Sequence, residues 1–328
     1  ASLATSDALT DELVSHGELM STLLFVELLR EKGIQADWFD VRKVMKTNDL
    51  FCHAEPDMVQ LTALTQSLIQ PRLEETVIVT QGFIGQEPKG RTTTLGRGGS
   101  DYTAALIGEA LGMSRVDIWT DVPGIYSTDP RIVPEAHRID QIAFNEAAEM
   151  ATFGANILHP ATLLPAVRSG IPVFVGSSKA PEEGGTLVCA QTENPPVFRA
   201  IALRRKQTLL TLHSLKMLHA RGFLAEIFTI LSRHHISVDV ITTSEVSIAL
   251  TLDTTGTTNS SGSLLTNALL TELSALCRVE VEEDLALVAV IGNSLSQVNG
   301  LGIKIFGTLE NYNIRMISHG ASTHNLCL

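Results

Sequence analysis

The order of apolar and polar segments predicts that helices and strands alternate through residues 1–190. Apolar side chains recur at helical spacing in the segments 10–33, 63–73, 102–111, 144–153 and 160–170. Short β-branched or apolar runs predict strands at 34–44, 76–80, 116–120, 171–175 and 185–189. This alternation favours an α/β domain in which a mostly parallel sheet is sandwiched by helices.

The first helix is expected to bury a broad apolar face. Gly17 lies within it, where a glycine costs about 1 kcal/mol relative to alanine, so we expect another group to approach the backbone there. Glu18 would then face that group, although an exposed glutamate on a helix would show the same pattern. The expected apolar face comprises Leu13, Val14, Leu19, Met20, Leu23, Leu24, Val26, Leu28 and Leu29.

The pattern changes after 190–196, where two adjacent prolines predict a linker. Beyond it, Ile227-Phe228-x-x-Leu231 recurs about 78 residues later as Ile305-Phe306-x-x-Leu309. Each copy is predicted as strand, helix, strand and strand, and the first continues with a helix at 264–276 and a strand at 278–281. A duplicated α+β domain with a glycine turn before each helix favours a ligand-sensing pair over a spacer. Its exposed sheet edges are expected to pair with another copy.

The segment Leu95-Gly96-Arg97-Gly98-Gly99-Ser100-Asp101 is the leading candidate for a binding loop. Its glycines let backbone N–H groups approach a ligand closely, and Ser100 or Asp101 is expected to cap the following helix. A helix N-terminus attracts anions, and Arg97 adds a fixed positive charge. An ordinary capped loop would have the same composition.

Further candidate side chains fall where predicted strands end. Phe83 follows the strand 76–80, while Asp121, Tyr126 and Arg131 follow the strand 116–120. Because mostly parallel sheets bind ligands at the carboxyl ends of their strands, this convergence favours a functional site over an ordinary loop.

Composition narrows the class of protein. A formal net charge of −12 over 328 residues argues against a general nucleic-acid-binding protein, which needs a basic face. The cysteines lack CxxC spacing, so we expect neither a metal site nor a disulfide framework, and a reducing cytoplasm fits. No stretch approaches the ~20 apolar residues of a transmembrane helix, and the first residues lack the basic region of a signal peptide. We expect no membrane partner, and both ends of the sequence are expected to be cut.

Several motifs resemble those of the aspartokinases, in particular the lysine-sensitive, monofunctional type. The resemblance implies an amino-acid-kinase domain at 1–191, a linker and the start of the regulatory region at 192–205, a first ACT domain at 206–282 and a second, incomplete ACT domain at 283–328. The motifs are Ser15-His16-Gly17-Glu18, Gln81-Gly82-Phe83-Ile84-Gly85, Thr94-Leu95-Gly96-Arg97-Gly98-Gly99-Ser100-Asp101, Trp119-Thr120-Asp121-Val122-Pro123-Gly124-Ile125-Tyr126, Thr128-Asp129-Pro130-Arg131, His159-Pro160-Ala161-Thr162 and Thr242-Thr243-Ser244-Glu245.

The activity that the resemblance implies is transfer of the ATP γ-phosphoryl group, with Mg²⁺, to the side-chain carboxylate of L-aspartate. The product, 4-phospho-L-aspartate, would be the first intermediate towards lysine, threonine and methionine. L-Lysine would act as a feedback inhibitor at the ACT domains. The resemblance further implies a cytoplasmic homodimer formed through the ACT domains, with a tetramer as an alternative when lysine is bound.

The resemblance also implies which residues form each site. Arg97 and Asp101 would be catalytic, with Arg97 on a substrate carboxylate and Glu18 on the substrate ammonium. The aspartate site would comprise Glu18, Phe83, Arg97, Ser100 and Asp101. ATP would contact Thr120, Asp121, Tyr126, Arg131, Asn156 and Ile157, with Arg131 near the phosphates. Lysine would contact Met217, Phe223, Leu224, Ser237, Val238, Asp239, Thr243, Ser244 and Glu245, among which Asp239 and Glu245 form an acidic pair that suits a cationic effector.

Two departures from the family pattern keep an alternative open. The family's Lys-Phe-Gly-Gly-Thr-Ser strand, whose lysine is thought to bridge the transferring phosphoryl group, has no counterpart in this sequence. Asn156 also stands where the family often has a lysine. Both features favour, as the alternative, an amino-acid-sensing regulatory protein with an inert kinase domain. A glutamate or carbamate kinase of the same fold would fit the glycine-rich loop but not the duplicated C-terminal domains.

Overall fold

The chain divides into two compact units, Ala1–Asn194 and Pro195–Leu328. The structure, a computed structural model, describes residues 6–154, 158, 160–218, 221–253 and 265–328. The boundary between the units falls within 190–196, the expected linker, which contains neither helix nor strand. Among the described residues, no helix combines the length and the apolar character needed to cross a membrane.

The described part of the N-terminal unit contains five α-helices and eight strands. The helices are α1 (Asp7–Glu31), α2 (Met58–Leu68), α3 (Gly99–Leu111), α4 (Phe144–Thr152) and α5 (Pro160–Ser169). The strands are β1 (Ala36–Phe39), β2 (Val77–Thr80), β3 (Ile84–Gln86), β4 (Thr92–Thr94), β5 (Val116–Thr120), β6 (Gln141–Ala143), β7 (Val173–Ser177) and β8 (Gly185–Cys189).

Parallel pairing prevails in this unit, as the alternating pattern predicts. The pairs β1–β2, β5–β7 and β6–β8 are parallel, whereas β7–β8 and the hairpin β3–β4 are antiparallel. The described strands are divided among a two-stranded parallel sheet, the β3–β4 hairpin and a four-stranded sheet of order β5-β7-β8-β6. Sequence analysis missed the hairpin and β6 because runs of three residues are too short to show a period of two.

Local capping explains where the predicted helix and strand limits were wrong. Helix α1 begins at Asp7 rather than at residue 10, because the Ser6 hydroxyl accepts a hydrogen bond from the Leu9 amide. Helix α2 begins five residues before the predicted start, because Asp57 caps it. The predicted strand 34–44 is shortened to β1, since Asp40 caps a 3₁₀ turn at Val41–Lys43. Strands β5 and β8 have the predicted limits.

Helix α1 turns a polar face inward, so the prediction of a broad buried apolar face was wrong for most of its members. Val26 is buried, but Leu13, Met20 and Leu24 are 59, 60 and 72 % exposed. Side chains four or three positions apart share one face of a helix. The polar part of the inward face of α1 consists of Asp11, Ser15, Glu18 and Thr22, and its contacts position the candidate site; Leu19, Val26 and Leu29 form the apolar part.

The C-terminal unit is built on one antiparallel sheet of order β10-β11-β9-β12-β14-β13. Its described strands are β9 (Phe198–His213), β10 (Ser237–Thr243), β11 (Ser247–Asp253), β12 (Arg278–Gly292), β13 (Ser318–His319) and β14 (Asn325–Cys327). Its helices are α6 (Phe223–Arg233), α7 (Asn267–Ser274) and α8 (Leu301–Thr308). The predicted repeat is recognisable in α6 and α8, since Ile227 and Ile305 are both buried and each helix follows a left-handed glycine, Gly222 or Gly300.

Strands β9 and β12 are shared by the two copies of the repeat. Leu209 pairs with Glu282 in the first copy, while residues from Arg204 towards Phe198 pair with Leu287–Gly292 in the second. The register shifts between these halves, where Lys206 and Asp284 adopt left-handed conformations. Residues 198–205 were expected to belong to a linker and the start of the regulatory region. They form a strand whose partner lies in the second copy, so the copies are not simply consecutive along the chain.

Candidate functional site

The glycine-rich segment leads into helix α3 through a left-handed backbone. Gly98 is the N-cap of α3 with φ of +73°, and no side chain caps the helix. The expectation that Ser100 or Asp101 caps it was wrong, because the helix has already begun at Gly99 and both residues lie in its first turn. Their side chains are exposed and half-exposed respectively. The first turn of α3 therefore presents backbone amides, a hydroxyl and a carboxylate together.

Two glycines hold the loop after β2 against this turn. A Cβ on Gly82 would lie 2.8 Å from Cα, Cβ and Oγ of Ser100. A Cβ on Gly99 would lie 2.7 Å from Cβ of Phe83 and 3.2 Å from Cβ of Leu95. Any larger residue at either position would push the two loops apart, so the motif Gln81-Gly82-Phe83 and the glycine-rich segment form one packed assembly.

Phe83 is fixed within this assembly by its own backbone. It adopts a left-handed conformation with φ of +50°. Its amide donates to Oγ1 of Thr103 in α3 over 3.0 Å, and its carbonyl accepts from the Leu95 amide over 2.8 Å. A non-glycine residue in this conformation costs free energy, which the hydrogen bonds on both sides offset.

Glu18 reaches the same place from helix α1. Its Oε1 accepts a hydrogen bond from the Gly82 amide over 2.9 Å, and its side chain remains half-exposed. The structure thus brings together Glu18, Phe83 and Ser100, as predicted for one site. The prediction that another group approaches the backbone at Gly17 was wrong, because a Cβ there would meet no described atom within 4 Å.

Arg97 is the free cation of this region. Its side chain is exposed, and it forms no hydrogen bond or ion pair with another residue that the structure describes. A guanidinium without a partner among the described residues, beside a helix N-terminus, is well suited to a carboxylate ligand, which it can bind through two parallel hydrogen bonds.

Asp11 is a structural residue of the site that sequence analysis missed. It is 1 % exposed, and its carboxylate accepts hydrogen bonds from the Thr94 amide, the Thr94 hydroxyl and the Cys52 amide. These bonds tie α1 to the end of β4, directly before the glycine-rich segment. Burial, together with the Asp11 charge, raises the pKa of the Cys52 thiol to about 11. The available signal was the spacing of Asp11, Ser15 and Glu18 on one helical face.

A second group of candidates lies at the ends of β5 and β7. The Thr120 carbonyl accepts hydrogen bonds from the amide and the hydroxyl of Ser178, over 2.8 and 3.0 Å. Asp121 follows with an exposed carboxylate, whose Oδ1 lies 3.3 Å from the Thr120 hydroxyl. These bonds join the two strand ends into an open polar surface.

The loop that carries Tyr126 is anchored beneath this surface. Oγ1 of Thr186 accepts from the Ile125 amide over 2.8 Å and lies 2.6 Å from the Ile139 carbonyl. Gly124, with φ of +118°, allows this approach, since its Cβ would lie 2.7 Å from the same Oγ1. Tyr126 itself forms an antiparallel bridge with Arg138.

Arg131 points into solvent and is paired with Asp129. Its side chain is 88 % exposed and forms an ion pair with Asp129 over 2.8 Å. Hydrogen bonds from Arg131 lower the pKa of Asp129, and the same pair raises the pKa of Arg131. The remaining predicted ATP contacts, Asn156 and Ile157, lie outside the described residues. Among the described residues, no group of three or more His, Cys, Asp or Glu side chains could hold a metal ion.

The predicted lysine contacts separate into two groups along β10. Ser237, Val238 and Asp239 lie at its start, whereas Thr243 ends it and Ser244 and Glu245 form the following turn. Asp239 lies near the start of β10 and Glu245 in the turn after its end, so the strand separates the two positions within one molecule. Asp239 instead forms an ion pair with Arg204.

The other predicted lysine contacts lie around the start of α6. Phe223 is 8 % exposed and belongs to the hydrophobic core, against which Met217 also packs. Leu224, by contrast, is 42 % exposed. Of these three side chains, Leu224 presents the largest surface to a ligand.

Comparison with known proteins identifies the family. The amino acid kinase family model matches residues 2–177, and an ACT domain model matches 288–328. The chain is 74 % identical to lysine-sensitive aspartokinase 3 of Escherichia coli over 327 residues, which are 100 % of this chain and 73 % of that protein.

Two solved structures show the same similarity. One is E. coli aspartokinase III in complex with aspartate and ADP (TM-score 0.88), and the other is the same enzyme in complex with lysine and aspartate (TM-score 0.84). Both are 74 % identical to this chain, of which they cover 99 %, while the chain covers 73 and 72 % of them. The chain therefore belongs to the aspartokinases, within the amino acid kinase family.

Proposed function

We propose that this protein transfers the γ-phosphoryl group of ATP to the side-chain carboxylate of L-aspartate and is inhibited by L-lysine. The observation that carries the proposal is the convergence of Glu18, Phe83 and Ser100 at the helix N-terminus that follows Arg97, which has no partner among the described residues. It occurs in a chain 74 % identical to an enzyme whose structure contains aspartate and ADP.

On the acceptor side, each residue has a role that its surroundings support. Arg97 binds a carboxylate of aspartate, and Glu18, oriented by the Gly82 amide, binds the ammonium group. Phe83 and Ser100 shape the pocket wall, and Asp101 faces the reacting groups with Arg97. Because the loops are packed through glycines, the backbone that carries these groups is positioned before substrate arrives, which favours a near-attack geometry.

On the donor side, Thr120, Asp121, Tyr126, Arg131, Asn156 and Ile157 would bind ATP, with Arg131 near the phosphates. Mg²⁺ usually keeps several waters and is held by substrate phosphates with one or two carboxylates rather than by a protein cage. When bound, the ion would supply neutralisation of phosphate charge.

The chemistry needs no general base. The aspartate carboxylate, with an ordinary pKa near ~3.9, is already ionised at neutral pH. One of its oxygens forms a bond to the γ-phosphorus while the bond to the β,γ-bridging oxygen breaks, so ADP leaves and no proton is transferred. Catalysis by this chain's residues is then positioning and stabilisation of negative charge, to which Arg97 and the amides at the start of α3 contribute.

Lysine inhibition would require two copies of the chain. The predicted lysine contacts occupy both ends of β10, too far apart for one small molecule to bridge within one chain. Pairing of the regulatory units, as a homodimer or as a tetramer with lysine bound, would bring one end of β10 to the other end in the partner. Lysine would then shift the catalytic units towards an inactive arrangement, provided that it binds the two states with different affinity.

The chemistry of the product indicates the position of this reaction in a biosynthetic sequence. An acyl phosphate of aspartate is an activated intermediate, and we propose that it opens the synthesis of lysine, threonine and methionine in the cytoplasm. End-product inhibition by lysine is consistent with a first step.

Trapping the acyl phosphate tests the activity. With ATP, Mg²⁺ and L-aspartate, we expect hydroxylamine to yield aspartyl hydroxamate in the intact protein, and Arg97→Gln to abolish the signal at low aspartate. Lysine binding without any hydroxamate would favour the alternative, a sensing protein with an inert kinase domain.

The lysine site has its own test. Glu245→Gln should raise the lysine concentration needed for half-inhibition and leave kcat nearly unchanged. An unchanged inhibition constant would count against the site on the turn after β10.

A further inference from the structure

Asp239, a predicted lysine contact, is already paired with a cation of its own chain. Nη1 of Arg204 lies 2.5 Å from Oδ2 of Asp239, and the two side chains are only 21 and 13 % exposed. We propose that Arg204 is an internal competitor of the effector, which a ligand ammonium displaces from Asp239 when it binds. The inference rests on the proposed lysine site.

The burial of the pair explains why a ligand must bring a cation. A carboxylate taken largely out of water needs an opposite charge, and leaving it unpaired is strongly unfavourable. A neutral ligand therefore cannot displace Arg204, whereas an ammonium group can replace one ion pair by another. Arg204 thus requires that the effector carry a positive charge. Because breaking the Arg204–Asp239 ion pair costs free energy, Arg204 also lowers the affinity of the protein for that effector.

The position of Arg204 gives the exchange a structural consequence. Arg204 pairs with Leu287 in the half of β9 that belongs to the second copy of the repeat, whereas Asp239 lies on β10 in the first copy. Between these halves the β9–β12 register shifts at the left-handed residues Lys206 and Asp284. The ion pair therefore links the two copies across an irregular part of their shared strands.

A second link connects the two copies through β10. The Thr242 hydroxyl donates to the Ile317 carbonyl, just before β13, over 3.2 Å. When Arg204 leaves Asp239, this ion pair at the start of β10 is lost while the hydrogen bond near its end remains. Effector binding is thereby coupled to how the first copy is held against the second.

Binding of L-lysine to the intact protein, measured by titration calorimetry, tests the inference. Arg204→Gln should bind lysine about fivefold more tightly, because the internal cation no longer competes. Arg204→Lys, which keeps a charge there, should stay within about twofold of the original protein. Arg205→Gln is the matched control. Arg205 is the exposed neighbour on the same strand, and its replacement removes an equal charge. We expect it to leave lysine affinity unchanged.

Asp239→Asn separates this inference from the proposed function. If lysine binds more weakly to Asp239→Asn, Asp239 belongs to the lysine site. If binding to Arg204→Gln is then unchanged or also weaker, Arg204 is not a competitor, and the proposed lysine site is retained. Unchanged binding in Asp239→Asn would overturn the site itself and the inference with it. In the unmodified protein, the Nε–H NMR signal of Arg204 should shift when lysine saturates the site, and an unmoved signal would also overturn the inference.

Discussion

The two halves of the proposed active site are built in different ways. On the acceptor side, hydrogen bonds join positions far apart in sequence, such as Glu18 with Gly82 and Asp11 with Thr94. On the donor side, the charged groups are paired locally, as Arg131 is with Asp129, and remain exposed. The backbone of the acceptor side is thus held in place before any ligand binds, although the Arg97 side chain itself is exposed, whereas the charges of the donor side are free to rearrange around a nucleotide.

This difference determines how substitutions should act. A group fixed by buried contacts transmits a small displacement to the reacting atoms, and an error of about 1 Å in position can cost about 100-fold in rate. An exposed ion pair contributes little to stability, typically about 0–1 kcal/mol. We therefore expect large effects on the acceptor side and small ones on the donor side.

The largest effect should follow Gly82→Ala. Its Cβ would overlap the backbone and side chain of Ser100 at 2.8 Å, so the loop must move away from α3. We expect kcat/KM for aspartate to fall about 100-fold or more. Gly17→Ala is the matched control, because its Cβ meets nothing within 4 Å. It should leave the kinetics unchanged and stabilise the protein by about 1 kcal/mol. Similar kinetics in the two variants would contradict the packed acceptor side.

Arg97→Gln should come next. Hydrogen bonds to a charged group contribute about 1.5–3 kcal/mol, so the KM for aspartate should rise about 10- to 100-fold. The thermal unfolding temperature should not change, because Arg97 is exposed and has no ion pair with a described residue. A lowered unfolding temperature with an unchanged KM would assign Arg97 to the fold rather than to the substrate.

Arg131→Gln should have a smaller effect on the donor side. Because the side chain is 88 % exposed, water and salt screen any contact with phosphate, and we expect the KM for ATP to rise about fivefold. Asp129→Asn is the companion variant, since it releases Arg131 from its partner and should leave that KM unchanged or lower it. If Arg131→Gln raised the KM for ATP by a larger factor than Arg97→Gln raises the KM for aspartate, the expected difference between the donor and acceptor sides would be reversed.

The smallest effect concerns pH. Hydrogen bonds from Arg131 hold the pKa of Asp129 below its ordinary value of 3.8. A carboxyl group with a depressed pKa in the folded state stabilises the protein above its unfolded pKa and loses that contribution as the pH falls through the folded value. The exposed pair makes this contribution small. A carboxyl ¹³C titration should show that the pKa of Asp129 is higher in Arg131→Gln than in the original protein. An unchanged pKa would show that Arg131 does not lower it.

Sequence alone was sufficient for several features that depend on nearby residues, although the local caps at Ser6, Asp40 and Asp57 were missed. The limits of β5 and β8, the glycine that ends α3 and the left-handed glycines before α6 and α8 all follow from local rules, because each depends on a few consecutive side chains. The motifs that resemble aspartokinases also predicted that Glu18, Phe83 and Ser100 would converge. The predicted roles of these residues in binding and catalysis stay predictions.

Tertiary structure decided what depends on contacts between distant segments. Hydropathy predicted that the leucine-rich face of α1 would be buried, yet the polar face carrying Asp11 and Glu18 is inward, where the distant amides of Thr94 and Gly82 donate hydrogen bonds to those carboxylates. Likewise, the family resemblance implied an acidic pair of Asp239 and Glu245, whereas β10 separates the two positions and Arg204 forms an ion pair with Asp239. A sequence lists which charges are present, but the path of the backbone determines which of them meet.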